Sequence, residues 1–213
     1  MRPGFAGVTG VMAVMPLANV NTDAIIPSAW LRTARADFGK GLFGSQRYGA
    51  DGRERPEFVL NRAPFRHAKI LLADENFGCG SSREAAVWAL AQFGIRCVLA
   101  PSFADIFYEN AFRNGLLVAK IDAASYLALA AAVDRHGQDP IFIVDLPAGT
   151  VTGPDGARFP FAVPAARAAA LIRGDDEIDM TLHHAGDIEA YHAAAAATHP
   201  WLYAGTDTAE IAP

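Results

Sequence analysis

Lys69-Ile70-Leu71-Leu72-Ala73, the turn Asn76-Phe77-Gly78-Cys79-Gly80 and the run Ser82–Phe93 decide the fold. The short apolar run bounded by a glycine-containing turn reads as a buried strand. The longer run, stopped by Gly94, reads as a helix. Ile95–Ala100 repeats the strand signal. Ser102, with Asp105 three residues on, then predicts a capped second helix through Arg113, with Phe103, Ile106, Phe107 and Ala111 on one face. Gly115 closes that helix, and Leu116-Leu117-Val118 opens a third strand. This β-α-β-α-β order predicts an α/β fold, a layered mixed sheet flanked by helices, whose parallel neighbours are joined by right-handed crossovers.

Working outward, Val11–Met15 reads as a strand running into the polar loop Asn19-Val20-Asn21-Thr22-Asp23, ahead of Ala24-Ile25-Ile26-Pro27. Residues 32–66 have no clean period and hold Pro56 and Pro64, so they read as a long surface excursion, of the kind that covers a site or meets a partner. Downstream, Asp122 is expected to cap an Ala/Leu-rich helix that stops at Gly137. Ile141–Leu146, Thr150–Thr152 and Arg158–Phe161 read as an antiparallel meander around Gly153-Pro154-Asp155-Gly156. Pro164–Arg173 reads as a helix stopped by Gly174, Ile188–Ala197 as a last helix, and residues 193–213 as a tail. There is no internal repeat, and one domain over residues 1–213 is the expectation.

Composition bounds the function. The 213 residues are 52% hydrophobic and 19% charged, which excludes disordered, collagen-like and disulfide-scaffold chains. Eighteen Lys and Arg against 23 Asp and Glu give a net charge of −5, with no basic stripe to track a phosphate backbone, so no nucleic acid partner is expected. Cys79 and Cys97 form no CxxC or His/Cys cluster. This chain therefore lacks the roughly four thiolates of an iron–sulfur cluster, and no metal or cofactor site of its own is expected. With no secretory leader pattern and no long apolar run, the chain reads as cytoplasmic and reduced, without a membrane partner.

The chemistry concentrates at Asn76-Phe77-Gly78-Cys79-Gly80-Ser81-Ser82-Arg83-Glu84. Two hydroxyls and a guanidinium stand at a glycine-freed strand-to-helix turn, where backbone N–H groups are free to hold an anion. A purely structural reading competes: Ser81 as N-cap and Glu84 as its reciprocal partner would make a capping box. The turn matches neither the dinucleotide-binding glycine fingerprint nor a P-loop, so it gives little support to nucleotide binding.

Phe77–Glu84, taken with Ala100-Pro101-Ser102-Phe103-Ala104-Asp105-Ile106-Phe107-Tyr108, resembles the small-subunit family of the isopropylmalate dehydratases in the aconitase superfamily. Asn19–Pro27 is similar to that family's opening loop. Asp176–Leu182 with Ile188-Glu189-Ala190-Tyr191 is similar to its bacterial C-terminal region, so the likeness spans roughly residues 5 to 192. The resemblance implies a swivelling β/β/α domain that works only with a large subunit carrying a [4Fe–4S] cluster. It implies dehydration and rehydration of 2-isopropylmalate in leucine biosynthesis, with an open iron of that cluster acting as a Lewis acid on the departing hydroxyl. In this chain it implies Ser81 as catalytic base, and Ser82 and Arg83 as the grip on a substrate carboxylate.

Asn21, Ala85 and Val87 stand where the family usually has Asp, His and Pro, which leaves the substrate's side group open: a related hydroxy di- or tricarboxylate of the homoaconitate or methylmalate type is the alternative. Trp30-Leu31-Arg32-Thr33 resembles a loop that contacts this side group in relatives, making Arg32 either a substrate-binding residue or an ordinary solvated arginine. A non-catalytic carboxylate-binding module is the rival from another class. Asp23 reads as a loop-orienting residue or as turn chemistry. Cys79 reads chiefly as a small packed residue, and His183-His184 as a surface pair. Phe103, Phe107 and Phe112 are assigned to packing, and Tyr108, Asn110 and Arg113 to a face that would meet the large subunit. An exposed docking face would also favour weak homo-oligomers of the isolated chain.

Overall fold

β1 (Gly7–Met15) changes role halfway along its length. Its first half, Gly7–Val11, pairs antiparallel with Asp145–Ile141, and its second half, Met12–Met15, pairs parallel with Ile70–Ala73. The computed structural model describes residues 3–32 and 37–203. After β1 come three short helices, α1 (Thr22–Ile25), α2 (Phe38–Gly41) and α3 (Gly44–Arg47). The central alternation follows: β2 (Ile70–Ala73), α4 (Glu84–Phe93), β3 (Cys97–Ala100), α5 (Asp105–Arg113), β4 (Leu117–Lys120) and α6 (Ala123–Arg135). A meander, β5 (Ile141–Asp145), β6 (Thr150–Thr152) and β7 (Arg158–Pro160), leads into α7 (Ala165–Arg173). Residues 175–203 form a second compact unit holding α8 (Glu177–Leu182) and α9 (Ala185–Thr198).

The seven strands form one sheet in the order β4-β3-β2-β1-β5-β6-β7, with β4 to β1 parallel and β1 to β7 antiparallel. Parallel strands covered on both faces read as continuous apolar runs, and β2 and β3 are buried at every position. Successive side chains alternate between two apolar layers. Leu71, Ala73, Val98 and Ala100 join Ile25, Phe43, Leu90 and Phe107 in one layer. Ile70, Leu72, Cys97 and Leu99 join Leu129, Phe142 and Leu171 in the other. Each Leu or Ile so enclosed contributes roughly 1.5–3 kcal/mol.

Several local expectations are corrected. The segment read as a surface excursion buries Leu42, Phe43 and Leu60 completely, and its Arg47 is held inside by Asn61 and by main-chain carbonyls of Gly39 and Leu42. The buried guanidinium is satisfied by chain folding around it, which no periodic pattern announces. Thr33 to Ala36 and the end of the predicted tail, 204–213, lie outside the described residues. Asp122 caps α6 as expected, its carboxylate accepting from the Ser125 backbone N–H, and Gly174 stops α7 in the left-handed conformation. The last helix is longer than expected, Ala185–Thr198.

Neither the predicted Ser102 cap nor the competing Ser81 cap forms. α4 begins at Glu84 with Arg83 as its N-cap and no side-chain cap bond, and α5 begins at Asp105 after Ala104. On α5 this start turns Phe107, Asn110 and Ala111 inward and leaves Ile106 53% exposed, so Asn110 is not on a partner-facing surface and Ile106 is not core.

Candidate active site

Parallel strands deliver their C-terminal ends to one edge of a sheet, and a crevice there is the general place for a ligand in open α/β folds. Three loops meet at that edge here: residues 16–21 after β1, 74–83 after β2 and 101–104 after β3. They are laced together. The Gly78 N–H donates to the Val20 carbonyl at 2.8 Å, the Phe77 N–H to the Ser102 carbonyl at 3.2 Å, and the Ala104 N–H to the Phe77 carbonyl at 3.0 Å. The Ser102 hydroxyl, expected as a helix cap, instead accepts the Asn76 N–H at 2.8 Å. Gly78 has φ +80°, and a Cβ there would lie 2.2 Å from the Phe107 ring, so this position needs glycine for both conformation and space. Gly80, at φ +90°, completes the reversal.

The result is a cavity of about 250 Å³ lined by Gly78, Gly80, Ser81, Ser82 and Arg83, by Thr22, and by Ala104, Asp105, Ile106 and Phe107. Ser81 and Ser82 are exposed, and the Ser81 hydroxyl makes no hydrogen bond among the described residues. Glu84 does not reach back to cap the helix, because its carboxylate accepts from the Asn114 amide at 2.8 Å, and Asn114 in turn accepts the Trp88 indole N–H at 2.9 Å. The capping-box reading of Ser81 and Glu84 therefore fails, and the Ser81 hydroxyl faces the cavity without a partner among the described residues. Arg83 is half-buried. Its Nη1 meets the Asp23 carboxylate at 2.5 Å and donates to the Ile26 carbonyl at 3.4 Å, leaving Nη2 and Nε without partners among the described residues. One edge of the guanidinium is thus anchored and another is presented, an arrangement suited to a planar carboxylate.

Of the predicted site residues, the structure brings together Ser81, Ser82, Arg83 and Asp23. Arg32 is exposed, directly after the short 3₁₀ turn Ser28–Leu31, and does not line this cavity. Asn21 caps α1 by accepting the Ala24 N–H at 2.8 Å, while Ala85 and Val87 are buried in the core, so all three departures from the family pattern have a packing or capping role. The sequence reading missed Thr22 and Asp105 as lining residues. Thr22 looked like turn filler and Asp105 like a helix cap, and only the meeting of loops distant in sequence reveals them. The two cysteines fit no four-thiolate cluster. The Cys79 thiol is turned to the Asn19 carbonyl at 3.3 Å, and full burial pushes the Cys97 thiol far up from its usual range. No grouping of three or more His, Cys, Asp or Glu suited to a metal ion occurs among the described residues. His183 faces Asp175 at 3.0 Å. No helix among the described residues is long and apolar enough to cross a membrane.

Comparison with known proteins first gives the class: residues 2–124 match the aconitase C-terminal domain. More narrowly, the chain is 48% identical over 198 residues to the 3-isopropylmalate dehydratase small subunit of Rhizobium meliloti, covering 92% of this chain and 98% of that one. It is 48% identical over 199 residues to the protein of the same name from Jannaschia, covering 93% and 98%. The crystal structure of 3-isopropylmalate dehydratase from Methanocaldococcus jannaschii superposes with a TM-score of 0.61 at 25% identity, over 87% of this chain and 99% of that chain. The chain belongs to the 3-isopropylmalate dehydratase small-subunit family, a hydro-lyase subunit within the aconitase superfamily.

Proposed function

We propose that this chain, docked on a large subunit bearing a [4Fe–4S] cluster, supplies the base and the carboxylate grip that convert 2-isopropylmalate into 3-isopropylmalate. The large subunit's cluster would assist departure of the substrate hydroxyl as a Lewis acid. In this chain, Ser81 Oγ, as the alkoxide, takes the proton from the carbon next to a substrate carboxylate during dehydration, becoming the hydroxyl, and gives that proton back during rehydration, returning to the alkoxide. A hydroxyl does this poorly unless its oxyanion is stabilised, a task suited to the Arg83 guanidinium and the free N–H groups of the turn. Arg83 Nη2 and Nε, with the Ser82 hydroxyl, hold the carboxylate, and Asp23 orients Arg83. Arg32, on the neighbouring loop, would bind the side group only of a substrate that carries a carboxylate there, and is a bystander on 2-isopropylmalate. A single swivelling domain over residues 1–213 and a cytoplasmic, reducing setting belong to the same reading, and the two unpaired thiols are compatible with it.

The observation that carries the proposal is the convergence of an unpartnered Ser81 hydroxyl and an Asp23-anchored Arg83 on one cavity. The test is anaerobic co-purification with the candidate large subunit and an assay on isopropylmalate, citraconate and homocitrate-type acids. Turnover of isopropylmalate is expected. Turnover only of another acid would move the substrate and give Arg32 its role, and failure to form a complex would overturn the reading in favour of a stand-alone carboxylate-binding module.

A further inference from the structure

Thr22 is 2% exposed, and nothing in its own loop accounts for burying a hydroxyl there. The partners lie 57 and 59 positions away in sequence. The Thr22 N–H donates to the Cys79 carbonyl at 2.8 Å, and its Oγ1 donates to the Ser81 carbonyl at 2.7 Å, so one residue pins two alternate carbonyls of the turn that carries Ser81. Asn21 and Cys79 form a parallel bridge beside it, and Gly80 packs between the two pinned peptides with Thr22 Oγ1 within 3.7 Å of where its Cβ would be. A trans peptide is planar, with its N–H opposed to its carbonyl. Pinning the carbonyls of Cys79 and Ser81 toward Thr22 therefore turns the N–H groups of Gly80 and Ser82 away from it. Neither N–H has a hydrogen-bond acceptor among the described residues, and both residues line the cavity.

We infer that Thr22 is a positioning residue that aims the Gly80 and Ser82 N–H groups at the anion formed in the reaction. This rests on the proposed role of Ser81 as base. The hydroxyl contributes through geometry: without it the Ser81 peptide is free to rotate, and the two donors no longer converge.

The test is a set of variants assayed in the reconstituted enzyme. Thr22→Val keeps the shape and removes the hydroxyl. It is expected to lower kcat about 10- to 100-fold with a smaller change in KM, consistent with loss of aimed oxyanion donors. Thr22→Ser, which restores the donor, should recover most of that loss. In the Ser81→Ala background, Thr22→Val should remove less than about twofold more, because the two act as a unit. Wild-type kcat in Thr22→Val, or an equal loss in both backgrounds, would overturn the assignment. If Thr22→Val does not assemble, Thr22→Ala removes the same hydroxyl with less bulk, and full activity in it overturns the assignment equally. Near-normal turnover of Ser81→Ala alone would instead sink the base reading, so the two failures are told apart.

Discussion

The two halves of the sheet share β1 and differ in what their ends can do. In the parallel half, β1, β2 and β3 all end at one edge, so loops far apart in sequence meet there, and Ser81, Arg83, Asp23 and Thr22 become neighbours. In the antiparallel half, β5, β6 and β7 reverse through tight turns that alternate between edges. The Gly153–Gly156 turn closes on itself, with the Gly156 N–H donating to the Gly153 carbonyl at 3.0 Å. One half gathers side chains into a site and the other spends its turns on returning the chain. Direction of pairing, more than composition, separates them.

Substitutions at the cavity in one half and in the core of the other should separate activity from stability. Ser81→Ala, at an exposed position, is expected to cut kcat in the reconstituted enzyme on the order of 10³-fold or more with the melting temperature nearly unchanged. Turnover close to wild type would end the division. Phe142→Ala, deep in the antiparallel half, should do the reverse: about 3–5 kcal/mol of stability lost in denaturant unfolding, with kcat/KM of the folded enzyme retained. A collapse of kcat/KM in that variant would show that the halves are coupled.

Arg83→Lys keeps the charge and loses the planar fork between Asp23 and the cavity. A fall of about 10- to 100-fold in kcat/KM is expected, whereas a lysine as good as arginine would mean that charge alone is read.

The smallest effect concerns α6, which lies against strands of both halves. Hydrogen bonds from the Ser125 backbone and hydroxyl hold the Asp122 carboxyl below its usual range. A lowered folded-state value means that this cap stabilises above the ordinary carboxylate range and that its contribution is lost as pH falls through the folded value. Asp122→Asn should therefore melt below wild type at neutral pH, and the gap should close on acidification. A gap independent of pH would refute the ionised cap.

The parallel core was legible because β2 and β3 are uninterrupted apolar runs and their helices end at glycines, signals that survive without any tertiary knowledge. The meander was legible from Gly153-Pro154-Asp155-Gly156, and the turn that lines the cavity from its glycines, hydroxyls and arginine together with a family resemblance. The helices start at Glu84 and Asp105, later than the hydroxyls of Ser81 and Ser102 suggest, because capping is a local competition for hydroxyls. In both places a distant group took part: Asn114 claimed Glu84, and the Asn76 N–H claimed Ser102.

The α/β order, the buried apolar strands of the core and the Ser-Ser-Arg run at a glycine-bearing strand-to-helix turn are all written locally in the sequence, because apolar runs and turn chemistry act between near neighbours. Tertiary packing alone makes β1 join a parallel half to an antiparallel one, buries Leu42, Phe43 and Leu60 of residues 37–66, and brings Asp23 and Thr22 to Arg83 and the Ser81 peptide. Those contacts span tens of residues, and which of the available partners meets which is settled by how the strand ends come together at one edge of the sheet.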